Sequence, residues 1–327
     1  MKKVRRIAGI TVASTVVIYL GLAHGLALFS ETKAPAGEQT SLNMENIETE
    51  DDELPKLETY EARDGSTLSY RHYESDADQV LVLLHGSGYH SAYLQSLASH
   101  LAEAGTASVY TPDLRGHGPA PETRGDIDHI SRLEKDVHDL IDVVRDRHPE
   151  ASIVLGGHSS GGGTVIRTAG GDEAHPAVER YLLLAPYIHH TASTNQSEES
   201  GWANVNVPRM AGLSMLNTIG IGYLNGLDVI SFNMPESVRD GTETLTYSYR
   251  LQKGMHPRDD YASDIAAMEN VRVLAGSADE SFHAGQYEKV FDTRRADVRL
   301  LDGLGHFGPV LSEKAHQEAA AWIEEES

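Results

Sequence analysis

Cysteine is missing from all 327 residues. A disulfide framework, a thiol nucleophile, a thiolate metal site and lipid attachment through Cys are therefore excluded. Positive charge is scarce as well: 27 Lys and Arg stand against 49 Asp and Glu, for a formal net charge of -22. Binding nucleic acid needs a basic face for the phosphates, so no nucleic-acid partner is expected. The same balance disfavours electrostatic docking on anionic lipid headgroups and is better read as solubility.

Charge of either sign is absent from Ile7 to Phe29, which follows the basic opening Met-Lys-Lys-Val-Arg-Arg. As a helix, 23 residues at ~1.5 Å each would run about 34 Å, enough for a hydrocarbon core of about 30 Å. Residues 1–29 are expected to be a membrane anchor, with the basic flank cytoplasmic and the rest of the chain on the outer side of a bacterial inner membrane. The alternative is a secretory signal, since Gly25-Leu26-Ala27 and Ala34-Pro35-Ala36 are small-x-small triplets. Residues 30–56, rich in Glu and Asp, read as a flexible acidic tether.

From Leu57 the pattern changes. Two β-prone runs flank Asp64-Gly65, a hairpin signal. Short apolar runs then alternate with helical patterns: Val80-Leu84, Ser108-Thr111, Ile153-Leu155, Tyr181-Leu184, Val271-Leu274 and Val298-Leu301 as strands. Tyr93–Ala104 and the stripe Ile130, Leu133, Val137, Leu140, Ile141, Val144 lie between them as helices. That alternation predicts an α/β domain over 57–327 with a mostly parallel sheet covered on both faces. The regularity breaks at about 186–264, which is expected to be a cap inserted over the catalytic end of the sheet. Met210, Met215 and Tyr223 in that stretch are expected to line an apolar substrate channel.

The strongest chemical signal is Gly157-His158-Ser159-Ser160-Gly161, between a strand and a run of small residues. A nucleophile on a sharp strand-to-helix turn needs small neighbours two residues away on either side, and Gly157 and Gly161 supply them. Ser159 is the expected nucleophile. The following helix start offers the Ser160 N–H to an oxyanion, and the turn His85-Gly86-Ser87-Gly88 offers a second N–H from Ser87. His306, in Gly303-Leu304-Gly305-His306-Phe307-Gly308, and Asp279, in Ala275-Gly276-Ser277-Ala278-Asp279, both follow predicted strands, on the sheet edge where Ser159 emerges. They are the expected base and orienting acid, in the chain order Ser, Asp, His. Asp113 and Arg115 are expected to pair and hold the loop Thr111–Gly118. No metal cluster stands out, and the chemistry requires no cofactor.

These motifs, over about Leu57 to Ile323, resemble the α/β-hydrolase superfamily, specifically its lysophospholipase/monoacylglycerol lipase-like group, which overlaps the serine aminopeptidase S33 domain. The resemblance implies a serine esterase that cleaves small-molecule or lipid esters through an acyl-enzyme on Ser159. Competing readings are an aminopeptidase, whose amine-binding carboxylates would be Glu198, Glu199 or Glu236, and a catalytically idle, membrane-tethered binding protein. Oligomeric state is silent in the sequence.

Overall fold

The six apolar runs expected to be strands all take their places in one eight-stranded sheet. The computed structural model describes residues 2–34, 42–44, 54–171, 174–196, 201–291 and 295–325. Strands β1 (Glu58–Glu61) and β2 (Thr67–Tyr73) form the expected antiparallel hairpin, with Gly65 at φ 83° in its turn. There follow β3 (Gln79–Leu84), β4 (Ser108–Pro112), β5 (Ser152–His158) and β6 (Val178–Leu184), then β10 (Val271–Gly276) and β11 (Ala296–Leu301). The strand order is β1-β2-β4-β3-β5-β6-β10-β11, and every pairing from β4 to β11 is parallel.

Parallel strands need covered faces, which explains why β3, β4 and β10 are apolar and buried almost throughout. One face carries α3 (Arg132–Arg147), whose Leu133, Val137, Leu140, Ile141 and Val144 are all buried, and α4 (Ser160–Ala169). The other face carries α2 (Gln95–Glu103) and α10 (Glu313–Glu324), with Leu97, Leu101, Trp322 and Ile323 in its core. The helix expected from Tyr93 begins as a 3-10 turn over Ser91–Leu94.

Between β6 and β10 lies a second, antiparallel sheet of β7 (Ala203–Val205), β8 (Asp228–Phe232) and β9 (Thr246–Ser248), with α5 (Val207–Thr218), α6 (Tyr249–Gly254) and α7 (Tyr261–Ala266). Trp202 and Met234 from this insertion reach the glycine turn after β3, within 3.1 and 3.4 Å of where a side chain on Gly88 would start. The N-terminal helix α1 (Lys2–Leu28) packs along α5.

The acidic stretch read as a tether touches the domain at several described residues. Ser231 donates to the Lys33 carbonyl at 2.7 Å, and Leu42 and Met44 are buried at 6% and 5% exposure. Its apolar members find partners across the domain that its polar majority conceals in the sequence. The run Glu48–Glu53 lies outside the described residues.

Candidate active site

Four loops converge at the carboxyl ends of β3, β5, β10 and β11. The turn after β5 is the tightest. Ser159 sits at φ 54°, ψ -121°, a left-handed conformation that a residue with a side chain adopts only under strain. Its neighbours show why they are glycines. A Cβ on Gly157 would lie 2.5 Å from the backbone of Gly161, and one on Gly161 would lie 2.4 Å from the His85 carbonyl. Gly86 faces Ser159 itself, its absent Cβ only 3.1 Å from that of the serine.

This turn aims the Ser159 hydroxyl at His306, whose Nε2 lies 3.0 Å from Oγ. His306 Nδ1 lies 3.0 and 3.2 Å from the two oxygens of Asp279. Asp279 Oδ1 also accepts the amide N–H groups of Ser281 and Phe282, at 2.7 and 3.0 Å. Burial raises the carboxyl's pKa, but His306 and these amides outweigh burial and hold Asp279 below the ordinary carboxylate range. An ionised Asp279 accepts only, so Nδ1 carries the imidazole proton and leaves Nε2 to accept from Ser159. The His306 loop is seated by Gly276, where a Cβ would lie 2.0 Å from the Leu304 carbonyl. Glu280 Oε2 accepts the His306 amide at 2.9 Å.

The opposite wall is the turn Gly86–Gly88. Tyr93 Oη accepts the Gly86 N–H at 2.6 Å, and Tyr247 Oη accepts the Gly88 N–H at 2.7 Å. The Ser87 amide between them has no protein acceptor among the described residues. Ser160 begins α4, where the first amides of a helix have no intrahelical partner. The Ser87 and Ser160 hydroxyls bond to each other at 2.7 Å, so the two expected oxyanion donors are drawn to one place.

Tyr93 also ties this turn to the histidine loop. Burial first, then the neighbouring His306, push His158 down to about 3, so it is neutral. Its Nε2–H donates to the His306 carbonyl at 3.1 Å, and its Nδ1 accepts from Tyr93 Oη at 2.9 Å. His85 holds backbone on both sides: its Nε2 accepts the Leu114 N–H at 3.0 Å and its Nδ1–H donates to the Gly86 carbonyl at 2.8 Å.

Two expectations fail. Arg115 does not pair with Asp113. It grips Asp136 with two bonds of 2.8 Å, while Asp113 accepts the Ser91 amide at 3.0 Å. Met210, Met215 and Tyr223 are not among the residues lining the cavity beside Ser159. They lie on and after α5, where the apolar partner nearest to hand is α1 rather than the cleft. The cavity is instead walled by Leu42, Met44, Tyr89, Tyr93, Trp202 and Phe307 around Ser159 and His306, and encloses about 20 Å³. Of the carboxylates considered for an aminopeptidase, Glu236 is exposed on a short 3-10 turn, and Glu198 and Glu199 lie outside the described residues.

Comparison with known proteins matches residues 75–225 to the family model "Serine aminopeptidase, S33". A monoacylglycerol lipase of Mycolicibacterium smegmatis is 33% identical over 104 residues, 31% of this chain and 37% of that protein. A monoglyceride lipase of Mus musculus is 30% identical over 127 residues, 38% of this chain and 41% of that protein. The matched part thus spans about two fifths of these curated relatives. Among solved structures, the monoacylglycerol lipase of Paleococcus ferrophilus superposes with a TM-score of 0.58 at 21% identity, covering 78% of this chain and 98% of that one. A soluble variant of the Saccharomyces cerevisiae monoglyceride lipase, in complex with a substrate analogue, gives 0.62 at 16%, covering 89% and 98%.

Proposed function

We propose that this chain, similar over part of its length to monoacylglycerol and monoglyceride lipases, is an α/β-hydrolase that cleaves carboxylic esters of apolar, lipid-derived acyl groups. The observation that carries this reading is the continuous contact from Ser159 through His306 to an ionised Asp279.

Ser159 Oγ attacks the ester carbonyl while its proton passes to His306 Nε2. The amides of Ser87 and Ser160 hold the oxyanion of the tetrahedral intermediate. His306 then protonates the leaving alcohol, and water, deprotonated by the same nitrogen, releases the acid from the acyl-enzyme. Asp279 keeps the tautomer and balances the transient imidazolium. A cavity of about 20 Å³ has room for about one water and not for an acyl chain. An acyl chain therefore enters only as Leu42, Met44, Trp202 or Phe307 moves aside. Aminopeptidase chemistry would need a carboxylate at the cleft, and Glu280 is already engaged by the amides of His306 and Asn43.

The second part of the proposal is location: residues 1–29 retained as a membrane anchor, basic end cytoplasmic, with the hydrolase domain on the outer side of a bacterial inner membrane. Thr11–Leu28 of α1 is long and apolar enough to cross a bilayer. Ala27, within one candidate cleavage triplet, is wholly buried against the cap, which supports retention over signal cleavage.

The test treats detergent-solubilised full-length protein and its Ser159→Ala variant with a fluorophosphonate probe, followed by an ester series of increasing acyl length. Labelling of the parent alone, with turnover lost on the order of 10⁵-fold or more in the variant, supports the reading. Equal labelling of both, or none in either, sinks it, and preference for the shortest acyl groups removes the lipid part.

A further inference from the structure

Val207–Leu227 connects β7 to β8 and contributes nothing to the chemistry above. Its helix α5 lies backbone to backbone on the C-terminal half of α1. A Cβ on Gly212 would sit 2.6 Å from the Ala23 carbonyl oxygen and 2.7 Å from the Ala27 nitrogen. At one end, Arg209 of α5 donates to the carbonyls of Ala27 and Ser30, where α1 leaves its last acceptors unpaired. At the other, Tyr19 of α1 donates to the Met215 carbonyl at 2.7 Å. So α5 runs antiparallel down α1 from the level of Ala27 to that of Tyr19, about 12 Å along the axis. The chain then turns back, and Tyr223 Oη meets His24 Nε2 at 2.8 Å.

The composition of this excursion differs from the rest of the molecule. The chain carries 49 acidic residues, yet none lies between Val207 and Leu227, and the one basic residue there is Arg209. The polar side chains are paired within the protein. Asn217 and Asn225 bond to each other twice, at 2.7 and 2.9 Å. Ser214 meets Tyr249 Oη at 3.1 Å, and Thr218 donates to the Ser214 carbonyl at 2.9 Å. Meanwhile Val207, Ile219 and Tyr223 are 66, 50 and 71% exposed, and Val12, Val16, Val17, Ile18 and Leu22 of α1 are exposed as well. Exposed apolar side chains beside polar ones whose hydrogen bonds are met within the protein is the pattern that lipid imposes and water does not.

We propose that α5 and the turn through Tyr223 insert into the outer leaflet beside α1, making the cap a second membrane contact whose partner is the acyl region of the bilayer. The inference rests on the anchor reading. If Thr11–Leu28 spans the hydrocarbon, a backbone in contact with Ala23 lies at nearly the same depth. Trp202, which lines the cavity beside Ser159, is five residues before Val207, within about 17 Å of extended chain. The cleft therefore opens close to the layer that holds lipid esters.

Because the chain has no cysteine, one introduced thiol is a unique labelling site. Ile219→Cys, Val16→Cys and Glu150→Cys in the full-length protein each take an environment-sensitive fluorophore, and each is reconstituted in vesicles of phosphatidylcholine and phosphatidylglycerol. Fluorophosphonate labelling of each variant confirms that it is folded. With nitroxide-bearing lipids, the expected result is quenching at 219 and at 16 at least about twofold above that at 150. Quenching at 16 with 219 equal to 150 overturns the inference and leaves the anchor standing. No excess quenching at either position overturns the anchor reading and this inference together.

Discussion

The catalytic edge of the sheet and the α5 excursion both depend on glycines where backbones touch, but they are held by different kinds of partner. At the catalytic edge, Gly157, Gly161 and Ser159 lie within four residues of each other, and the turn they form docks on the strand ends. In the excursion, Gly212 docks on Ala23 and Ala27, some 185 residues earlier in the chain. The first contact belongs to the folding unit. The second joins two elements that can separate while each keeps its own hydrogen bonds. The tightest turn thus sits beside Ser159, and the contact between elements far apart in the chain sits where α1 meets α5.

The sharpest way to break this comparison is to make the same substitution in both places. Gly161→Ala drives a methyl group into the His85 and Leu84 carbonyls, and should cost more than about 4 kcal/mol, leaving little folded protein. Gly212→Ala should leave the hydrolase domain folded and open to fluorophosphonate, while hydrogen exchange over residues 19–33 rises about tenfold or more. Equal losses of folded protein would show that α1 is part of the core.

Acid should act on the catalytic edge. Burial lowers His85 to about 4 and His158 to about 3, against an unfolded value of 6.5. Below pH 6.5 the unfolded chain takes up protons that these two folded imidazoles refuse, so stability is full above that pH and falls beneath it. The slope contributed is at most about 2.7 kcal/mol per pH unit, flattening near pH 4. Thermal melts between pH 7.5 and 4.5 would check it, and a melting temperature flat over that window would contradict the buried neutral assignment.

Tyr247→Phe removes the acceptor for the Gly88 amide without touching the triad. It should lower kcat by about tenfold to a hundredfold with little change in KM, because the turn that presents the Ser87 amide loosens. A raised KM at constant kcat would instead assign Tyr247 to substrate binding. The smallest effect is expected from Leu42→Ala with Met44→Ala, which opens the cavity and should speed hydrolysis of long-chain esters by a few-fold, short ones less. Slower turnover of every ester would mean that these side chains form part of the substrate's seat.

The site was legible to the degree that its constraints are local. A strained nucleophile demands glycine at 157 and 161, and strand ends place Asp279 and His306, so a short motif and an apolar run locate each of them. His158 occupied the unconstrained position of that motif, and nothing nearby showed that it would bridge Tyr93 to the His306 carbonyl. Tyr247 reaches Gly88 from 159 positions away, and no periodicity marks that contact. Arg115 chose Asp136 over the nearer Asp113 because α3 brings the more distant carboxylate to the guanidinium in a two-bond geometry.

By itself, then, the sequence determined the strands of the α/β sheet and singled out Ser159, Asp279 and His306, which the fold brings together, since backbone sterics and hydrophobic period act over a few neighbours. Only the tertiary structure decided that Tyr223 meets His24 of α1, that Met210 and Met215 are not among the residues lining the cavity beside Ser159, and that Leu42 and Met44, inside an acidic stretch, wall that cavity instead. Burial of an apolar side chain is non-directional: it rewards any dry surface within reach, and which surface is within reach is known only after the chain has folded.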